Sequence, residues 1–248
     1  EGRWFDPGFK HTDSEPDGRA ERLWQRDRAE GIVERCRDKP GVASEESRPS
    51  TQLSPLLFDL TSLQREANSR FGFSARTTLS IAQALYERHK VLTYPRTDSR
   101  ALPEDYLPTV KTTLGALGDD RAYGSFARQV LGKDLVRPNK RVFDNAKVSD
   151  HFAIIPTPQP PKAGSLSDAE QKVYDLVVRR FLAVFYPAAE YLVTTRITLV
   201  EGESFKTEGK VLVNAGWLAI YGREGSSDDT LVPVRPNERV LTREIELQ

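Results

Sequence analysis

One short stretch of the sequence combines residues that could do covalent chemistry on a phosphate. Residues 92–99 read LTYPRTDS, which places Arg96 two positions after Tyr94 with Pro95 between them. A tyrosine that attacks phosphorus needs a neighbouring cation, which favours the phenolate and neutralises the developing negative charge. Because proline fixes its own φ and biases the preceding residue toward extended backbone, Tyr94 and Arg96 should project to the same side. The pair could therefore contact one phosphate, although a packed tyrosine beside a solvated arginine is the commoner arrangement.

The sequence around this stretch is locally basic. The whole chain has 36 Lys and Arg against 36 Asp and Glu, which gives a formal net charge of zero. Between Ser62 and Arg100, however, seven basic residues stand against three acidic ones, a local charge of +4. This excess of cations beside Tyr94 suits a polyphosphate partner. A solvated helix face explains any single one of these arginines equally well.

Composition excludes several other kinds of protein and site. The single cysteine, Cys36, rules out an internal disulfide and a multi-cysteine zinc site, and it favours a reducing cytoplasm. No apolar run has the length of a membrane span, and the first residues do not resemble a signal peptide. Residues 13–18 look superficially like a calcium loop, but the twelfth position is Trp24, so we interpret them as a surface turn. The chain has no methionine and ends in a strand-like run, so we expect it to be a piece of a longer polypeptide.

Sequence periodicity predicts a mostly helical middle between β-rich ends. A helix over residues 62–70 should end at Gly72, and Ser74 should cap a second helix to about residue 87. The same signals predict further helices at about residues 26–37, from Pro103, at 123–131, and from the capping box of Ser167 and Glu170 to about residue 185. Alternating residues predict strands at 42–52, 192–200, 204–213 and 239–247, with a hairpin turn at 201–203.

These elements predict an α+β fold in which a helical domain is inserted into a mainly antiparallel β domain. We expect the β domain to consist of residues 1–52 and 186–248 and the helical domain of residues 53–185. Two helices joined by a short turn and followed by a strand also predict a winged-helix (CAP-like) unit. Tyr94 would lie on or just after the wing strand, and Trp217 would anchor the core of the β domain.

Several motifs that occur in order around Tyr94 together resemble the type IA DNA topoisomerases. They are residues 58–68 (FDLTSLQREAN), 71–75 (FGFSA), 81–87 (IAQALYE), 149–157 (SDHFAIIPT), 172–174 (KVY) and 215–217 (AGW). In that family the tyrosine stands in a Tyr-Pro-Arg-(Ser/Thr) stretch and a histidine in a His-x-Ala-Ile-(Ile)-Pro stretch. The resemblance covers roughly Ser54 to Gly222 and is closer to topoisomerase III than to bacterial topoisomerase I.

The resemblance implies a role for each residue of the candidate site. Tyr94 would attack one DNA strand and become joined to its 5′-phosphate, and a second transesterification would reseal the strand without ATP. Arg96 and His151 would contact the scissile phosphate. From their position next to the nucleophile, Thr97, Asp98 and Ser99 could line the site and bind DNA, but capping or turn hydrogen bonds explain these polar residues equally well. Topoisomerase III sequences often carry two adjacent histidines, whereas Phe152 takes the second place here, so a contribution from that position is in doubt. Asp150 could orient the His151 ring, whereas His11 and His89 match no family motif.

The resemblance also implies a cofactor and partners. The family holds Mg²⁺ on a separate Toprim domain through a glutamate and an Asp-x-Asp pair, and no Asp-x-Asp occurs in this sequence. We therefore expect the Mg²⁺ site and the arch to lie in other domains of the parent protein, and the isolated fragment to be inactive. The expected partners are single-stranded and negatively supercoiled DNA, with no membrane, in a cytoplasmic and nucleoid-associated protein.

Two other functional interpretations of the stretch around Tyr94 remain open. Tyrosine recombinases and type IB topoisomerases also join Tyr, Arg and His at a phosphate, but they bond the 3′-phosphate and place the tyrosine near the end of the catalytic domain. A non-catalytic winged-helix DNA-binding module is the alternative from another functional class. That alternative leaves the stretch around Tyr94 unexplained.

Overall fold

The computed structural model of the chain describes residues 1–10, 18–222, 231–235 and 237–247. Its Cα atoms form two compact units, one from the described residues of Glu1–Thr51, Glu190–Asn214 and 231–247, the other from residues 52–189 and 215–222. His11 and all but the last residue of the turn predicted at 13–18 lie outside the described residues. None of the described helices is both long and apolar enough to cross a bilayer.

The first unit is built on a five-stranded sheet in the order β1-β4-β3-β2-β5. The strands are β1 (Arg3–Phe5), β2 (Pro40–Gln52), β3 (Ala189–Val200), β4 (Glu203–Asn214) and β5 (Glu238–Leu241), with a helix α1 (Arg26–Cys36) between the first two. Ile32 and Cys36 of α1 pack with Val200 of β3 in a small buried core. The predicted mixture of helices with an antiparallel sheet is confirmed.

Backbone conformation explains where the strands turn, and strand pairing explains where β5 stops. Glu201 and Gly202 both have positive φ, 48° and 82°, and Val200 pairs directly with Glu203. The predicted hairpin between β3 and β4 is therefore present, but its turn has two residues and not the three predicted at 201–203. The strand predicted over residues 239–247 ends earlier, at Leu241. Leu241 lies opposite Pro40, the first residue of β2, so the antiparallel partner runs out at that point.

The second unit is mainly helical. Its helices are α2 (Leu60–Phe71), α3 (Ala75–Glu87), α4 (Leu107–Leu117), α5 (Gly124–Gly132) and α6 (Asp168–Ala183), with short 3₁₀ turns at Glu104–Tyr106, Asn145–Lys147 and Gly216–Tyr221. The two predicted caps between α2 and α3 are confirmed: Gly72 is left-handed, with φ of 70°, and the Ser74 hydroxyl accepts from the Thr77 amide at 3.0 Å. Helix α2 begins two residues before the predicted start because Asp59 forms its own capping box with Ser62.

Two details of the helical unit differ from the sequence predictions. The predicted wing strand is not confirmed: Leu92 makes one isolated antiparallel bridge to Pro156 in place of a regular strand pair. Trp217 is buried as predicted, but it belongs to the helical unit and not to the β unit. Its indole N–H donates to the Gln52 carbonyl at 2.9 Å, and its backbone amide donates to the Pro187 carbonyl at 3.1 Å.

A buried carboxylate ties the start of α6 to the chain that leaves α3. Glu170 accepts from the Ser167 amide at 2.9 Å and from the Ser167 hydroxyl at 2.8 Å, which confirms the predicted capping box. Its other oxygen contacts His89 at 3.2 Å and pairs with Arg88. Burial raises the pKa of Glu170, but the bonds from Ser167 and His89 and the charge of Arg88 outweigh it and lower the pKa to about 2. This contact fixes the chain a few residues before Tyr94.

Replacing Glu170 with glutamine tests this anchor through its pH dependence. The pKa of Glu170 is lower in the folded chain than its usual 4.5, so its contribution to stability is present above that pH and is lost as the pH falls toward 2. We expect Glu170→Gln to lower the free energy of unfolding by roughly 1–3 kcal/mol at pH 7, and by progressively less below pH 4.5. Urea unfolding at several pH values measures this difference.

Asp168→Asn is the matched control, because Asp168 lies in the same first turn of α6 but is exposed. It should leave the free energy of unfolding nearly unchanged across the pH range. A loss for Glu170→Gln that did not depend on pH would contradict the assigned role of the ionised carboxylate.

Candidate active site

From Thr93 to Arg100 the chain alternates between the interior of the helical unit and its surface. Thr93, Thr97 and Ser99 are buried, with 9%, 8% and 5% of their surface exposed. Tyr94 is half-buried, and Arg96 is exposed. This alternation is that of extended backbone, so Tyr94 and Arg96 lie on the same outward side of the chain, as the sequence predicts.

Hydrogen bonds from buried groups hold the extended stretch in place. The Thr93 amide donates to the Ile155 carbonyl at 3.0 Å, and the Ile155 amide donates to the Thr93 hydroxyl at 2.9 Å. That hydroxyl in turn donates to the Ala153 carbonyl at 3.0 Å. On the other side of Tyr94, the Leu60 amide at the start of α2 donates to the Thr97 carbonyl at 3.0 Å. Backbone on both sides of Tyr94 is therefore fixed to other parts of the helical unit.

The hydroxyls of Thr97 and Ser99 point toward backbone carbonyls. Thr97 donates to the His151 carbonyl at 3.4 Å, and Ser99 donates to the Lys147 carbonyl at 2.7 Å. The Ser99 amide donates to the Thr97 hydroxyl at 3.0 Å. In this structure the two side chains hold the segment that carries His151 beside the segment that carries Tyr94. Their role as DNA contacts stays a prediction.

The Tyr94 ring is held between two other rings. The centroid of the His151 imidazole lies 4.2 Å away, with the planes tilted by 39°. The Tyr86 ring, from the last turn of α3, meets Tyr94 edge-to-face with centroids 5.4 Å apart and planes at 81°. Within the described part of the chain, the phenolic oxygen of Tyr94 has no hydrogen-bond partner. The Tyr94 ring is thus held in place, while its phenolic oxygen makes no hydrogen bond to the described residues.

Neither sequence neighbour of His151 orients its ring toward Tyr94. The residue is exposed, and no hydrogen bond or ion pair joins its ring to Asp150 among the residues that the structure describes. Phe152, which stands where a second histidine is common in the resembling family, packs its half-buried ring against Tyr106 with centroids 4.7 Å apart. The second position therefore serves packing here.

The Arg96 guanidinium is oriented by a neutral side chain. With its amide oxygen turned toward the guanidinium, Gln83 accepts from Nε and from Nη2 of Arg96, each at 3.2 Å. Gln83 and Tyr86 are three residues apart on α3, so one face of this helix contacts both Arg96 and Tyr94. Neither Gln83 nor Tyr86 was predicted to belong to the site. Helical spacing within the stretch 81–87 was the signal that could have found both.

Half of the arginines that make this region basic are already paired with carboxylates. Arg70 lies 2.8 Å from Glu66, Arg100 lies 3.1 Å from Asp59, and Arg88 pairs with Glu170. Arg65, Arg76 and Arg96 are exposed and have no carboxylate partner in the described ranges. In the described part of this region, the positive charge that remains available to a phosphate therefore lies on α2, on α3, on the exposed Lys90 and beside Tyr94.

The candidate site does not have the ligands of a magnesium centre. Mg²⁺ prefers carboxylate and other oxygen ligands, whereas Tyr94, Arg96 and His151 offer a phenol, a cation and an imidazole. No group of three His, Cys, Asp or Glu among the described residues could hold a metal ion. Asp120 accepts from the amides of Ala122 and Tyr123, at 2.7 and 3.1 Å, so it shapes the turn before α5. The Mg²⁺ of the whole protein stays an expectation that concerns other domains.

Comparison with known proteins places this arrangement in a family. A profile of the DNA topoisomerase family matches residues 7–248. DNA topoisomerase 3 of Bacillus cereus strain ATCC 14579 is 45% identical over 215 residues, which cover 86% of this chain and 29% of that protein. DNA topoisomerase 3 of Bacillus subtilis strain 168 is 39% identical over 248 residues, or 97% of this chain and 33% of that protein.

A solved structure has the same fold. Full-length topoisomerase I from Thermotoga maritima superposes with a TM-score of 0.61 at 23% identity, over 91% of this chain and 36% of that one. This chain spans about a third of the length of the relatives it matches. The chain belongs to the type IA DNA topoisomerase family and is similar to the topoisomerase III branch over part of that protein's length.

Proposed function

We propose that this chain is the tyrosine-bearing part of a type IA DNA topoisomerase that cleaves and reseals one DNA strand. Tyr94 is the nucleophile, and Arg96 and His151 hold the scissile phosphate. The observation that carries the proposal is the Tyr94 ring, fixed between His151 and Tyr86 on the same outward side of the chain as Arg96. Among the described residues the phenolic oxygen has no hydrogen-bond partner, and it lies on the same side of the chain as a guanidinium, an arrangement that suits attack on a phosphodiester.

In the proposed reaction one ester bond replaces another. The Tyr94 oxygen loses its proton and bonds to phosphorus, and the bond from phosphorus to the 3′ oxygen breaks. The strand is left with a 5′-phosphotyrosyl end and a 3′ oxygen that takes up a proton as a hydroxyl. Because the bond energy is kept in the phosphotyrosine, the reverse step reseals the strand without ATP. Relaxation or decatenation would follow from passing DNA through the break.

Arg96 and His151 support different parts of this reaction. Charge-assisted hydrogen bonds from Arg96 would strengthen as negative charge builds on the phosphate oxygens. His151 lies against the Tyr94 ring, so its imidazole can reach a phosphate that the tyrosine attacks. The exposed Arg65 on α2 and Arg76 on α3 suit a DNA backbone, and we propose that this helix pair faces DNA as a helix-turn-helix.

The rest of the proposed activity concerns parts of the protein outside this chain. The Mg²⁺ site on a Toprim domain, the arch that surrounds the DNA, and the preference for single-stranded and negatively supercoiled DNA are proposals that rest on the family. These proposals are supported by the length of the relatives, which are about three times as long as this chain.

A non-catalytic DNA-binding module is the second candidate function. The exposed arginines of α2 and α3 favour it, but they alone do so.

Replacing Tyr94 with phenylalanine in the full-length protein separates the two candidates. We expect Tyr94→Phe to abolish the covalent adduct with a single-stranded oligonucleotide, because the attacking oxygen is gone while the stacked ring remains. DNA binding, measured by fluorescence anisotropy, should stay within about twofold of wild type, since one neutral hydroxyl adds little to affinity. Denaturing gels with DNA labelled at either end identify which phosphate carries the tyrosine.

Tyr186→Phe is the control, because it removes a phenolic oxygen that contacts Gln129 and not the candidate site. It should form the adduct at the wild-type rate. Adduct formation by Tyr94→Phe would contradict the proposed nucleophile. An adduct on a 3′-phosphate would point to the tyrosine recombinase or type IB chemistry.

Removing the guanidinium of Arg96 tests its proposed contact with the phosphate. We expect Arg96→Ala in the full-length protein to slow single-turnover cleavage by roughly a hundredfold or more, because charge on the phosphate would develop without its cation. Arg76→Ala removes another exposed arginine from the same region and should slow cleavage by less than about threefold. Equal losses in the two variants would mean that the arginines act only through general attraction of DNA.

The dependence on other domains can be tested with residues 1–248 alone. We expect this fragment to bind a single-stranded oligonucleotide but not to relax negatively supercoiled plasmid in the presence of Mg²⁺, while the full-length protein does both. Agarose gels of plasmid topoisomers give the readout. Magnesium-dependent turnover by the fragment would contradict the proposal that the metal site lies elsewhere.

A further inference from the structure

The Arg96 guanidinium differs from its neighbours in the kind of partner that it has. Arg70, Arg88 and Arg100 each pair with a carboxylate, of Glu66, Glu170 and Asp59 respectively. Arg96 instead faces the side-chain amide of Gln83, and in the amide orientation that satisfies both groups the oxygen accepts from Nε and Nη2 at 3.2 Å each. Within the described part of the chain, this amide is its only hydrogen-bond partner.

A neutral hydrogen-bond partner can orient the Arg96 guanidinium without neutralising its charge, whereas a carboxylate would neutralise it. Two N–H groups of a guanidinium directed at one amide oxygen fix its plane, because the five donors of arginine have a rigid geometry. The amide carries no net charge, so the full positive charge stays available to an incoming phosphate. Three of the five N–H donors also remain uncommitted, which is enough for a bidentate contact with phosphate oxygens.

The packing of α3 holds Gln83 in place, which distinguishes its contact with Arg96 from an incidental bond between two exposed side chains. Gln83 is half-buried on α3, beside the fully buried Ala82 and Leu85, so its own position is set by the packing of the helix. Three residues later the same helix places Tyr86 against Tyr94. One rigid helix therefore fixes both the nucleophile and the cation, which a loop could not do as accurately.

We propose that Gln83 is a positioning residue for the cleavage reaction: it directs the Arg96 guanidinium toward the scissile phosphate without neutralising its charge. The inference rests on the proposed function, because it presumes that Arg96 serves the chemistry of Tyr94. Gln83 acts through Arg96 and does not itself touch the phosphate.

A double-mutant cycle in the full-length protein tests the proposal. We expect Gln83→Ala to slow single-turnover cleavage of a single-stranded oligonucleotide by about tenfold to a hundredfold when Arg96 is present. In an Arg96→Ala background the same change should slow cleavage by less than about twofold, because the guanidinium that Gln83 orients is gone. Ser80→Ala, an exposed residue one turn earlier on α3, should leave the rate unchanged in both backgrounds.

Gln83→Glu separates orientation from charge. The carboxylate can still accept from Arg96, but it neutralises the cation, so cleavage should slow at least tenfold and the salt dependence of single-strand binding should weaken by about one phosphate contact. Gln83→Ala should leave that salt dependence unchanged. Thermal unfolding of each variant shows whether α3 remains folded. The double-mutant cycle compares the cleavage rates of variants whose unfolding temperatures lie within a few degrees of wild type.

The outcomes distinguish this inference from the function on which it rests. If Tyr94→Phe abolishes the adduct but Gln83→Ala cleaves at the wild-type rate, the positioning role is overturned and the proposed function stands. Equal losses from Gln83→Ala with and without Arg96 also overturn it, since they would show a structural effect of α3. If Tyr94→Phe still forms the adduct, the proposed function fails and the inference fails with it.

Discussion

The position of the candidate nucleophile depends on the side chain of the threonine that precedes it. The buried Thr93 hydroxyl accepts from the Ile155 amide and donates to the Ala153 carbonyl, which lies 60 residues further along the chain. Buried polar groups of this kind are costly to leave unpaired, so the two segments are held in one register. Because side chains alternate along extended backbone, fixing Thr93 inward also turns Tyr94 outward, against the ring of His151.

Three helices of the helical unit hold the residues of the candidate site in place. Helix α3 contacts Tyr94 through Tyr86 and Arg96 through Gln83. The start of α2 holds the Thr97 carbonyl through the Leu60 amide, and the start of α6 fixes Arg88 and His89 through Glu170. The chain on either side of Tyr94 is therefore bonded to helix ends or to buried backbone. A rigid frame of this kind fits chemistry that must hold a broken strand and reseal it.

The distribution of charge supports the same interpretation. The formal net charge of the chain is zero, and several of the arginines near Tyr94 are paired with carboxylates that help to hold the helices together. What remains for a nucleic acid is a small set of exposed guanidiniums on α2 and α3 and beside the tyrosine. The affinity of such a surface for DNA depends on where these cations lie and much less on the net charge.

Local sequence was enough to predict most helix ends and to identify the candidate residues. Gly72, Ser74 and the box of Ser167 and Glu170 mark helix ends because their conformations and hydrogen bonds are set within a few residues. The proline and the period of extended backbone placed Tyr94 and Arg96 on one side for the same reason.

Contacts between groups that are distant in the sequence became known only from the folded chain. The contact of His151 with Tyr94, the amide of Gln83 on Arg96, and the inward turn of Thr97 and Ser99 all join residues that are far apart in sequence or belong to different elements. The place of Trp217 in the helical unit and the early end of β5 depend likewise on long-range partners. Such contacts follow from packing and from strand register, which no local pattern of residues fixes.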